Sequence, residues 1–147
     1  MKFMLMMHAP GGSGEYQINQ WKPEELRAHI QFMKDFNKAL REAGELVGAE
    51  GLAPPGQARI VRSPGGGAPE VTDGPFAEAK EFLVGYWIVD VESAERAYAI
   101  AGKASTDRPW WEAARHQDRG APGDERAARF AVAPQRLDEH DRRAPAP

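Results

Sequence analysis

Residues 82–91 read FLVGYWIVDV. Phe82, Val84, Tyr86 and Ile88 fall on one face, and Leu83, Gly85, Trp87, Val89 and Val91 on the other. Period-two alternation with β-branched and aromatic residues predicts a strand. Gly85, lacking a side chain inside it, marks a bulge or a close approach. Upstream, residues 71–81 read VTDGPFAEAKE. Asp73-Gly74-Pro75 has the chemistry of a turn, so this stretch reverses the chain into the strand. Downstream, Ser93 is placed to cap a second helix over 94–101, with Glu95 in its first turn and Gly102 after it.

Working outward, Lys2 to His8 alternates Phe3, Leu5 and Met7 with Met4, Met6 and His8. Both faces are apolar, which predicts a central strand buried on two sides. Pro23 opens a helix where its missing N–H costs nothing, Glu24 and Glu25 suit the helix dipole, and Gly44 closes it. Lys22 is a poor N-cap, so fraying is expected there. Leu26, His29, Met33, Phe36, Leu40 and Ala43 share one arc of that helix, with charged residues opposite. His29 is the polar exception inside the arc. Residues 45–52 predict a second strand, and 58–62 with 70–72 a hairpin around Ser63-Pro64-Gly65-Gly66-Gly67. The order is strand, helix, strand, hairpin, strand, helix. One more strand completes an α+β ferredoxin-like βαββαβ unit, and Arg129 to Ala133 is the one candidate for it.

The totals set bounds. The chain has 147 residues, enough for one domain with a core, and a net charge of −3 that gives no reason to expect nucleic acid or an anionic membrane. It has no cysteine, which excludes disulfides and thiolate metal sites. No apolar run reaches membrane-spanning length, and residues 1–10 suit a strand better than a signal peptide, so the expected location is the cytoplasm. The composition changes near residue 104. Residues 104–147 hold no Lys but eight Arg, ten Ala and five Pro, and only Phe130, Val132 and Leu137 among Val, Ile, Leu, Met and Phe. The reading is therefore a folded domain over 1–103 and a weakly structured or divergent tail over 104–147.

The chain resembles the YCII-related proteins, in their DGPF-domain branch. The resemblance rests on Lys2 to Met7, Pro23 to His29, Gly51 to Pro55 with Ala58 to Arg62, and Val71 to Glu81 running into Gly85 to Val91. It implies a ferredoxin-like protomer of a dimeric α+β barrel, hence a homodimer, with a cleft holding a His and an Asp as a catalytic pair. It also implies a functional link to an extracytoplasmic-function sigma factor, and most of the family has no established reaction. The family's closing strand is not matched here. The loss of Lys with the rise of Arg, Ala and Pro fits a reading-frame shift near residue 106, with GC-rich codons read out of frame.

Carried onto this chain, the pair is His29 and Asp73. For His29 the plain alternative is a hydrogen-bonded core histidine; the functional reading is a general base, since imidazole exchanges protons near neutral pH. For Asp73 the alternative is turn chemistry alone. Gly74 and Pro75 would let the backbone approach a ligand and set its direction. Phe76 and Tyr86 would wall an apolar cleft. Glu78 and Lys80 are either a solvated charge run or cleft residues, and His8 ends a strand where it could reach a cleft. No metal-ligand spacing occurs, and no cofactor is called for. Three functions follow: acid–base, lyase-like chemistry on a small aromatic or carbonyl compound; small-molecule binding without turnover in a sigma-factor circuit; or a structural dimeric module.

Overall fold

In the computed structural model the structure describes residues 1–10, 21–74, 81–106 and 129–135. Pro75, Phe76, Glu78 and Lys80 lie outside these residues.

Strands β1 (Lys2–Pro10), β2 (Leu46–Gly51), β5 (Glu81–Asp90) and β6 (Arg129–Pro134) form one antiparallel sheet in the order β2-β5-β1-β6. Helices α1 (Pro23–Glu42) and α2 (Ala94–Ala104) follow β1 and β5. With β1 and β5 in the centre, this is the ferredoxin-like order. The hairpin of β3 (Arg59–Arg62) and β4 (Glu70–Asp73) is a separate two-stranded sheet inserted between β2 and β5.

The fourth strand comes from the segment read as weakly structured. Phe130 and Val132 lie two apart and pair with Met7 and Leu5. Both pack against the core, and the Phe130 ring lies 5.9 Å from that of Trp87. Two apolar residues at period two suffice because β1 already offers a full row of backbone partners.

Both helices cover one face of the sheet. Phe3, Leu5, Met7 and Ala9 of β1, with Trp87 and Val89 of β5, are buried beneath them. Phe36 meets Trp87 edge-on at 5.7 Å and stacks on Phe32 at 5.8 Å. Each such pair contributes about 0.5–1.5 kcal/mol beyond its buried area. The expectation that β1 is buried on two sides is corrected. Met4, Met6 and His8 are only half-buried, because no second layer among the described residues covers that face.

The ends of the helices show why they stop where they do. Lys22 has no side-chain acceptor, yet its N–H donates to Glu25 Oε2 at 2.9 Å, so the reciprocal half of a capping box holds the end expected to fray. At the other end Gly44 has φ 70°, and the Gly44 and Glu45 N–H groups donate to the Arg41 and Leu40 carbonyls at 3.0 and 2.9 Å. That is a Schellman closure. Helix α2 begins as expected, with Ser93 Oγ accepting from the Arg96 N–H at 3.2 Å. It runs past the expected end: Gly102 lies inside it, because Ile100, Ala101 and Ala104 are still burying against the core.

Candidate functional site

A cleft of about 290 Å³ opens between α1 and the β2–β5 side of the sheet. One wall is helical: His29, Ile30, Met33, Lys34 and Asn37 line it. Residues 30, 33, 34 and 37 follow the i, i+3, i+4, i+7 spacing of a single helix face, and His29 flanks them. The sheet supplies Met7, Ala49, Gly85 and Trp87.

Gly85 forms a bare stretch of floor. A Cβ there would lie 3.0 Å from the Glu50 carbonyl oxygen and 3.6 Å from Met7 Cε. The register between β1 and β5 slips just beyond it, where Met7 pairs with Gly85 but His8 with Leu83, leaving Val84 as the extra residue. Both expectations for this glycine, a bulge and a close approach, are met together.

Glu50, Gly51 and Tyr86 complete the lining. Strand alternation decides how they do so. Ala49 pairs with Trp87 on the helix side, so Glu50 and its partner Tyr86 direct their side chains to the opposite face. They offer main chain to the cleft. Among the described residues, therefore, no carboxylate side chain is directed into it from the sheet.

His29 is the buried polar residue of the described core, at 8% exposure, and its ring meets Trp21 edge-on at 5.2 Å. Asp73 is placed very differently. Its side chain is 95% exposed and its carboxylate faces Arg59 Nε at 3.4 Å. It is not part of the cleft lining. Gly74 donates its N–H to the Ala58 carbonyl, and a Cβ there would meet Ile60 Cγ1 at 3.1 Å. Packing within the hairpin is by itself a reason for glycine there, since a side chain would press on Ile60. His8 lies on the outer sheet face, paired with Leu83 and Arg129, and is not in the lining either.

Two polar residues of the site were not singled out by sequence. Asn37 Oδ1 accepts from Trp87 Nε1 at 2.7 Å, joining the helical wall to the floor. Lys34 stands one turn earlier. Both were legible only as members of a second stripe on α1, beside the core-facing arc.

A family model described as YCII-related domain matches residues 1–110. The chain belongs to the YCII-related family. A relative in Rhizobium meliloti (strain 1021), the uncharacterised protein R00369, is 33% identical over 95 residues, covering 65% of this chain and 76% of that protein. The YCII match takes in β1 through α2 and the whole cleft, and stops short of β6. No helix among the described residues is long and apolar enough to cross a membrane, and no group of three potential metal ligands occurs among them.

Proposed function

We propose that this YCII-related protein binds a small aromatic or carbonyl compound in the α1–β5 cleft and that His29 performs acid–base chemistry on it. The observation that carries the reading is the placement of His29. An imidazole 92% removed from solvent lines a cleft whose walls include Met7, Met33 and Trp87. A buried imidazole beside an apolar cavity can take a proton from carbon next to a carbonyl: the C–H bond breaks, an N–H bond forms and an enolate remains. The same group then returns the proton, or the enolate expels a neighbouring leaving group.

Asp73 enters the proposal as the carboxylate that would orient His29, on the strength of the DGPF resemblance. At 95% exposure it makes no contact with a buried ring, so pairing requires the hairpin to move towards the cleft. A two-stranded hairpin, stabilised by few tertiary contacts, is the kind of element that moves at low cost. The absence, among the described residues, of a carboxylate on the cleft's sheet side favours a second reading, binding without turnover, in which the sigma-factor link would make the protein a sensor.

We also propose a homodimer, on the support of the outer sheet face. Met4, Met6 and Ile88 are half-buried there, with no layer among the described residues above them.

The test of turnover is hydrogen–deuterium exchange. A panel of hydroxyquinones and α-keto acids in D₂O is followed by proton NMR. The wild-type protein should accelerate loss of the proton beside the carbonyl, and His29→Ala should lose about 10²–10⁴-fold of that rate while keeping its circular dichroism. No acceleration across the panel, or an unchanged rate in His29→Ala, removes the catalytic reading. Asp73→Asn should lose about as much rate if the hairpin closes.

A further inference from the structure

Trp87 Nε1 is a donor only, so the Asn37 atom 2.7 Å from it is the amide oxygen. That one bond fixes the amide plane. The Asn37 NH₂ is turned away from the indole, on a side chain that lines the cleft, and no acceptor among the described residues takes it. Lys34 precedes Asn37 by three residues, which makes the two side chains neighbours on the helix surface. It is exposed, lines the same cleft and has no carboxylate partner among the described residues. Glu50, the one acidic residue of the lining, sends its side chain to the other face of the sheet.

We infer that Asn37 Nδ2 and Lys34 Nζ form a binding site for the charged oxygen of a flat organic anion, a carboxylate or an enolate-type oxygen on an aromatic frame. The inference deepens the cleft reading and rests on it. A directed amide donor beside an ammonium gives such an oxygen two charge-assisted hydrogen bonds, one of them from a cation. A neutral ligand would leave Lys34 with nothing to neutralise. The rest of the cavity suits a ring. Gly85 makes the floor bare backbone, while Trp87 and Met33 provide apolar and polarisable surface. The volume, about 290 Å³, is roughly twice the ~150 Å³ of a cavity that holds benzene. That is room for one substituted ring or two fused ones. Asn37 lies eight residues from His29 on α1, roughly 12 Å along the helix. The anion would thus be gripped at one end of the cleft while His29 faces the other end of the ligand.

Benzoate and benzamide have nearly the same shape and differ in charge, so they are the probes. Titrations are followed in ¹⁵N–¹H spectra through the Trp87 Nε1–H and Asn37 Nδ2 resonances, up to about 20 mM, as fragments of this size bind in the millimolar range. Benzoate should bind about tenfold or more tightly than benzamide. Asn37→Asp keeps an oxygen for Trp87 but replaces the donor by an anion. It should retain a hydrogen-bonded Trp87 Nε1–H signal and lose benzoate about tenfold or more. Lys34→Met, at an exposed position where folding is not at risk, should also lose benzoate about tenfold and weaken benzamide far less. Equal binding of the two probes, or benzoate binding untouched by both substitutions, overturns the anion site and leaves the cleft standing. No perturbation of cleft resonances by either probe overturns both.

Discussion

Substituting alanine for Gly85 and for Gly102 should move stability in opposite directions, and the difference is worked from the space around each. At Gly85 the new Cβ would stand 3.0 Å from the Glu50 carbonyl oxygen, with Gly51 Cα and Met7 Cε both at 3.6 Å. Ordinary contact begins near 3.4 Å. The crowded atom is backbone of β2, hydrogen-bonded to β5, so relief requires that edge strand to shift by a few tenths of an ångström. Overpacking of this kind costs about 1–3 kcal/mol. Restricting the unfolded chain returns about 0.4–1 kcal/mol, so the net loss centres on about 1.3 kcal/mol and spans about 0–2.6 kcal/mol. At Gly102 nothing lies within 4 Å of the added Cβ, the residue is exposed, and it sits inside α2. Alanine there should gain about 0.8–1 kcal/mol from helix propensity alone. For a chain of this length 1 kcal/mol corresponds to about 2–4 °C in Tm. Urea unfolding followed by circular dichroism, with thermal scans beside it, should place Gly85→Ala below wild type and Gly102→Ala above it. Wild-type stability in Gly85→Ala would refute the close approach that builds the floor of the cleft. A destabilised Gly102→Ala would refute the placement of that residue in a helix.

Glu45 and Arg96 form a two-pronged ion pair, at 2.6 and 2.7 Å, that ties the start of β2 to α2. The hydrogen bonds from Arg96 hold the Glu45 carboxyl below its ordinary value of 4.5. A depressed folded value means the contribution is present above about pH 4.5 and is lost as pH falls through that lower value. With Arg96 about half exposed, Arg96→Ala should cost about 0.5–1 kcal/mol at pH 7, and the gap to wild type should close in acid; a gap independent of pH in urea titrations would count against the pair. Trp87→Phe removes both the donor to Asn37 and part of a buried ring, and should cost about 2–3 kcal/mol and free the Asn37 amide resonances; unchanged amide shifts would show that the bond does not hold in solution. Met6→Arg on the outer sheet face should convert a dimer to a monomer in sedimentation experiments, and a wild-type monomer would remove the dimer proposal. Finally, the coding sequence read one base over near residue 106 should carry an uninterrupted frame spelling Pro-Thr-Ala-Pro-Gly-Gly opposite Thr106 to Trp111; stop codons there would end the frame-shift explanation of the altered composition.

Much of the fold was legible because its signals are local. Pro23, Glu25 and Gly44 bound α1 through groups within a few residues of each end, and Ser93 starts α2 in the same way. Alternation in β1 and β5 sorted their residues into two faces, but both faces read as apolar, and only the packing of the helices showed that Phe3, Leu5, Met7, Trp87 and Val89 form the covered one. Even the last strand was marked by Phe130 and Val132, although the composition around them argued against order. What composition could not show is that a strand edge left open by β1 will accept a short apolar pair, since pairing there depends on a partner over a hundred residues away. The site divides along the same line. His29 stood out as a polar residue inside an apolar arc, a pattern carried by one helix. Asp73 stood out through its turn, yet where a turn residue's carboxylate ends up depends on the hairpin's packing, and here it faces Arg59. Asn37 and Lys34 acquire meaning only when Trp87, fifty residues on from Asn37, donates its indole proton and β2 turns Glu50 away. Helix ends, turns and periodicity are properties of neighbouring residues, and the sequence alone determined them. The cleft, its bare floor and the free amide of Asn37 exist only where distant segments meet, and only the tertiary structure decided those.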